Sequence, residues 1–158
     1  MRFSRWLALL LLGSLQAAEV PPSNGVPYPE GWEKWQVLSV SYREDLKSLR
    51  VILGNKTATS AARRGETNPW PEGTVLGKVV WKRRRLPEWS PALVPAELVH
   101  VEFLIKDKRY ADKRSGWAFA RWVGPELKPF NDGMGSCLGC HQQVKGRDFV
   151  FTRPAPLP

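Results

Sequence analysis

Apolar and polar residues alternate with a period of two along most of this chain, which predicts strands more often than helices. Within Trp35 to Tyr42, the apolar Leu38, Val40 and Tyr42 alternate with Ser39 and Ser41, the signature of a half-buried strand. Leu49-Arg-Val-Ile-Leu53 is a short apolar run with Arg50 inside it. Thr74 to Lys82, Leu98 to Lys106 and Trp117 to Trp122 are rich in Val, Ile, Phe or Trp and are bounded by Pro, Gly or charged turns, so each predicts a strand. The Pro-broken stretch Leu86 to Pro95 reads as a loop, and Asp148 to Thr152 as a last short strand. One segment departs from the pattern. Asn55 is a cap ahead of Lys56 to Arg64 and Gly65 a stop behind it, which predicts a helix. Residues 19–31 are rich in Pro and Gly and read as an extended arm. No internal repeat or domain boundary is visible. The expected fold is α+β, mainly β: one domain with an antiparallel sheet and a few short helices.

Length and charge sharpen this picture. The 158 residues suit one domain, and residues 1–18 have the layout of a secretory signal peptide. Arg2 and Arg5 precede an apolar run from Trp6 to Leu12, too short to span a bilayer, and small residues lead to Ala17-Ala18. The mature chain, residues 19–158, is therefore expected outside the cytoplasm, in the periplasm, without stable membrane insertion. Losing Arg2 and Arg5 leaves +7 of the formal charge of +9. A basic balance fits nucleic acid, anionic lipid or an acidic protein. Export and the lack of any nucleic-acid-binding motif argue against the first, and the one dense run, Lys82-Arg83-Arg84-Arg85, reads as a solvated strand end.

The candidate chemistry lies near the C-terminal end, in Cys137-Leu-Gly-Cys140-His141. On a short helix, residues three and four apart share a face. That spacing lets both sulfurs reach a porphyrin edge with His141 beneath the iron, the C-x-x-C-H pattern of covalent haem c attachment. Export agrees with this, since such attachment takes place outside the bacterial cytoplasm. Three other readings compete. A disulfide closing so short a loop restrains little. A redox pair would suit a βαβ context, which the pattern lacks. Zinc would need more ligands, and only His100 and Met134 are on offer. A second strong iron ligand is equally scarce, because Met134 lies on the proximal segment and His100 alternates onto a polar strand face with Glu102. The inference is an iron with an open or weakly held distal position.

The order of features resembles the cytochrome P460 and cytochrome c′-β family. The matching stretches are Tyr28-Pro-Glu-Gly-Trp32, Leu49-Arg-Val-Ile-Leu53, Glu72-Gly-Thr-Val-Leu-Gly-Lys78 and Val101-Glu-Phe-Leu-Ile-Lys-Asp107. Arg109-Tyr-Ala111, Gly116-Trp-Ala-Phe119, the CLGCH run and Phe149-Val-Phe-Thr152 complete the set. The resemblance implies a largely antiparallel sheet, a homodimer and one haem. It implies oxidation of hydroxylamine to nitrogen oxides, with electrons passing to a partner cytochrome, and a lysine joined covalently to the haem edge, for which Lys78 stands in the expected place. Arg50 resembles a family arginine near the distal pocket, beside a haem propionate or bound ligand. Glu102 is then its ion-pair partner or a proton acceptor. The strand from Trp117 to Trp122 carries no acid where P460 enzymes place a carboxylate over the iron. Phe119 instead suggests an apolar cap, resembling c′-β members that bind nitric oxide. A hydroxylamine oxidoreductase, a nitric oxide-binding protein and a plain electron-transfer cytochrome all remain open on the sequence.

Overall fold

A computed structural model describes residues 22, 24–132 and 134–156. The expected signal segment and residues 19–21 of the arm lie outside the described residues. Six antiparallel strands follow one another in chain order across a single sheet: β1 (Gln36–Arg43), β2 (Ser48–Gly54), β3 (Val75–Leu86), β4 (Trp89–Ile105), β5 (Ala118–Val123) and β6 (Lys128–Pro129). Two short helices, α1 (Lys56–Arg64) and α2 (Gly135–His141), complete the α+β, mainly β architecture. Among the described residues no helix is long and apolar enough to cross a membrane.

Local chemistry sets α1. The Asn55 side-chain oxygen accepts from the Ala58 N–H at 2.9 Å, and Gly65 ends the helix in the left-handed region at φ 74°. The same oxygen accepts from the Val75 N–H at 3.2 Å, and Asn55 Nδ2 donates to the Gly73 carbonyl at 2.8 Å. One side chain thus caps the helix and ties it to the start of β3.

Three expectations are corrected. The stretch from Leu86 to Pro95 is no loop, because β3 and β4 form one long hairpin that turns between Leu86 and Trp89. Pairing of β2 with β3 ends at Ser48–Lys82, and that of β5 with β4 at Val123–His100, so the hairpin overhangs the sheet. Prolines are tolerated on such open edges. Asp148 to Thr152 is no strand: Asp148 and Phe149 both have positive φ, 51° and 59°, and the chain turns there. In β1 a bulge between Val37 and Ser39 interrupts the alternation, leaving Leu38 buried but Val40 69 % exposed.

The two faces of the sheet differ. On one, Leu53, Val79, Val101, Phe103 and Trp122 pack beneath the arm, where Val26, Tyr28, Trp32 and Trp35 cover them. Tyr28, Phe103 and Trp122 meet edge to face, with centroids 4.9–5.8 Å apart. The described part of the arm, with Trp32 and Trp35 behind it, is therefore a fixed layer of the core. The opposite face carries charged residues and holds the candidate site.

Candidate functional site

Register decides which side chains meet. Ile52, Lys78, Glu102 and Arg121 face one another across β2, β3, β4 and β5 as one row. Cross-strand neighbours of opposite charge attract, and Glu102 is flanked by a cation on each side. Lys78 pairs with its Oε2, Arg121 Nε donates to Oε1 at 2.6 Å, and His100 Nε2 lies 3.4 Å from Oε1. The Glu102 side chain is only 10 % exposed. Burial opposes its ionisation, but Lys78, His100 and Arg121 together outweigh burial and hold its carboxyl at about 2. Burial also pushes the His100 imidazole down to about 4, helped by Arg121 and Lys78 and opposed by Glu102, so it is neutral at pH 7.

Apolar and polar rows flank this one. Leu76, Leu104 and Phe119 lie on one side of it, and Arg50, Val80 and His100 on the other. Burial pushes the Arg50 guanidinium down, and its buried Nε makes no hydrogen bond to the protein.

The sheet wall faces α2. Asp132 accepts from the N–H groups of Met134 and Ser136, fixing where the helix begins, and buried Leu138 anchors it in the core. Cys137, half-buried, and Cys140, exposed, are free thiols. Burial pushes the Cys137 thiol up. His141 Nδ1 lies 2.6 Å from the Phe149 carbonyl. A carbonyl only accepts, so Nδ1 carries the proton and Nε2 is left as the basic nitrogen. Its burial pushes the imidazole down, against the Phe149 carbonyl.

Between sheet and helix lies a cavity of about 750 Å³, lined by Arg50, Ile52, Leu76, Lys78, His100, Glu102, Leu104, Phe119 and Arg121 on the sheet side. Cys137, Cys140, His141 and residues 150–153 line the other side. All seven residues singled out in the sequence, Arg50, Lys78, Glu102, Phe119, Cys137, Cys140 and His141, therefore border one space. Phe119 lines the cavity beside His141. Its ring meets the His141 ring at 61° with centroids 5.0 Å apart. Met134 Sδ accepts from the Phe119 N–H at 3.2 Å. Arg121 was not foreseen, although its place two residues after Phe119 in an alternating strand puts both on one face.

These residues fit a haem. The cavity is of the size of cofactor pockets, about 300–1,000 Å³, with its basic imidazole nitrogen and two thiols on one wall. The orphaned Arg50 Nε suits the carboxylate of a propionate. A sheet with one polar face set across such a cavity from a Cys-X-X-Cys-His helix defines a haem-binding protein built on a single antiparallel sheet. The family model of Cytochrome P460 matches residues 29–152, and the chain belongs to that family. Membership makes it a haem protein. No curated protein shows significant similarity to the chain.

Proposed function

We propose that this protein is a periplasmic mono-haem c-type cytochrome that oxidises hydroxylamine to nitrogen oxides and passes the electrons to a partner cytochrome. Cleavage of residues 1–18 and assembly as a homodimer belong to the same reading. Cys137 and Cys140 would hold the haem through their sulfurs, and His141 would hold its iron through Nε2. The haem supplies an iron that binds small nitrogenous ligands and accepts electrons.

The observation carrying this reading is the polar row Lys78–Glu102–Arg121 on the wall opposite α2. A polar substrate needs donors and acceptors there, and an apolar lid would offer none. Lys78, Arg121 and Arg50 supply donors, ionised Glu102 is the carboxylate among the lining residues, and neutral His100 adds a second acceptor. Glu102 accepts hydrogen bonds from substrate N–H or O–H groups and passes protons towards His100. Lys78, in this reading, also forms the further link to the haem edge.

A second reading, a nitric oxide-binding protein without that link, is favoured by one observation. A carboxylate held at about 2 by three cationic or imidazole neighbours is a weak base, poorly matched to proton removal near neutrality. Steady-state assay of the haem-loaded protein with hydroxylamine and a dye acceptor separates the two. Turnover that falls at least tenfold in Glu102→Gln supports the oxidase. Nitric oxide binding to the reduced protein with no hydroxylamine consumption supports the alternative and overturns the first reading.

A further inference from the structure

The segment behind His141 is held by charges on another part of the chain. The Phe149 carbonyl that meets His141 Nδ1 belongs to a pair of consecutive left-handed residues, Asp148 and Phe149. That conformation is unfavourable for a bulky aromatic residue and persists only where its surroundings impose it. Here they do. The Asp148 carboxylate accepts from the Trp70 N–H at 2.8 Å and from Lys106 Nζ at 2.5 Å. Both charged side chains are largely buried, 15 % exposed for Lys106 and 12 % for Asp148, and the Lys106 ammonium also lies 5.1 Å from the centre of the fully buried Trp117 ring. Lys106 itself is fixed at the end of β4, where its N–H donates to the Thr74 carbonyl. Asn68 Nδ2 adds a bond to the Gly146 carbonyl.

We propose that Lys106 and Asp148 are positioning residues that aim the Phe149 carbonyl at His141 and so tune the axial imidazole from the sheet. This rests on His141 being the haem ligand, as proposed above. A backbone carbonyl accepting from Nδ1–H makes the imidazole a stronger donor to a metal at Nε2 and favours the oxidised state. Two anchors on one carboxylate restrict how far the Asp148–Phe149 pair can relax away from that contact. A loop tethered only by its own turn would let the carbonyl drift, and the imidazole would lose basicity. The pair is thus a second-site control of the reduction potential, lying outside the residues that line the cavity.

The experiment is potentiometry of the haem-loaded full chain carrying Asp148→Asn, Lys106→Met or Asp148→Glu. Loss of either charge is expected to move the midpoint potential upward, in the same direction for both variants. Asp148→Glu, which keeps the charge but lengthens its reach, should give a smaller upward shift. A merely structural role would lower the melting temperature and leave the potential in place, and that result overturns the proposal. Should the charge-neutralising variants fail to fold, Asp148→Glu decides alone, and an unmoved potential overturns it. In parent protein isolated without haem, the haem reading fails, yet nitrogen NMR of His141 in parent and Asp148→Asn still tests the anchor. An Nδ1 proton in the parent whose hydrogen bond weakens in Asp148→Asn supports it, and an unchanged imidazole signature refutes it.

Discussion

Replacing Glu102 by Gln removes one negative charge from the centre of the cavity wall while keeping the shape of the protonated acid. The cost follows from proton linkage, because Gln mimics the protonated carboxyl. Glu102 titrates at about 2 in the folded protein against an ordinary value of 4.5. At 1.36 kcal/mol per unit, its charged state contributes about 3 kcal/mol of stability. Removing one member of a buried ion pair gives a similar figure, about 3–5 kcal/mol. The lower end applies, since Lys78 and Arg121 keep 27 % and 26 % side-chain exposure. The sign is that of a depressed carboxylate. Its contribution is complete above pH 4.5 and is lost as pH falls through about 2. Guanidinium denaturation of haem-free parent and Glu102→Gln, in which Lys78 keeps its ammonium, should therefore differ by about 3 kcal/mol at pH 7 and by about 1–2 kcal/mol at pH 3. The melting temperature at pH 7 should fall by about 10 °C. Burial of His100, at about 4 against 6.5, lowers the stability of both proteins as pH falls from 6.5 to 4. Equal stability at pH 7, or a gap that fails to close in acid, would refute the view that Glu102 is held charged by its three neighbours.

Other substitutions probe the frame around the site. Asn55→Ala should destabilise by about 1–2 kcal/mol in chemical denaturation, since it removes the cap of α1 and both ties to β3. Gly54→Ala should cost about 1–3 kcal/mol by the same measurement, because its Cβ would lie 2.5 Å from Leu38 Cδ1 and 2.9 Å from Ala58 Cβ. Proteolysis of the haem-loaded protein followed by mass spectrometry should find the Lys78 peptide joined to the haem peptide, and Lys78→Ala should abolish that species; a parent digest with haem on the cysteine peptide alone would exclude the lysine link.

What the sequence revealed depended on whether the signal was local. The helix from Lys56 to Arg64 was legible to the residue, because Asn55 and Gly65 carry their own conformational reasons. Prolines between Leu86 and Pro95 read locally as breaks, and nothing local tells that the β3–β4 hairpin projects beyond its neighbours. Phe149-Val150-Phe151 alternates like a strand, and only the anchored left-handed pair at 148–149 turns it into the loop behind His141. In the site, the spacing of Cys137, Cys140 and His141 was fully visible. Lys78 and Glu102 were visible as candidates, but their meeting with Arg121 depends on the register of three strands, which no single stretch encodes. The Phe149 carbonyl was invisible for a simpler reason: a backbone acceptor leaves no mark in residue identity.

The account stands on one covalent claim, and intact-protein mass spectrometry tests it most directly. The chain is produced in a bacterial host able to mature c-type cytochromes and is denatured before measurement, so that only covalent additions survive. The account predicts the mass of the polypeptide without residues 1–18 plus one haem, with the addition lost in the double variant Cys137→Ser, Cys140→Ser. A parent protein of bare polypeptide mass would contradict it.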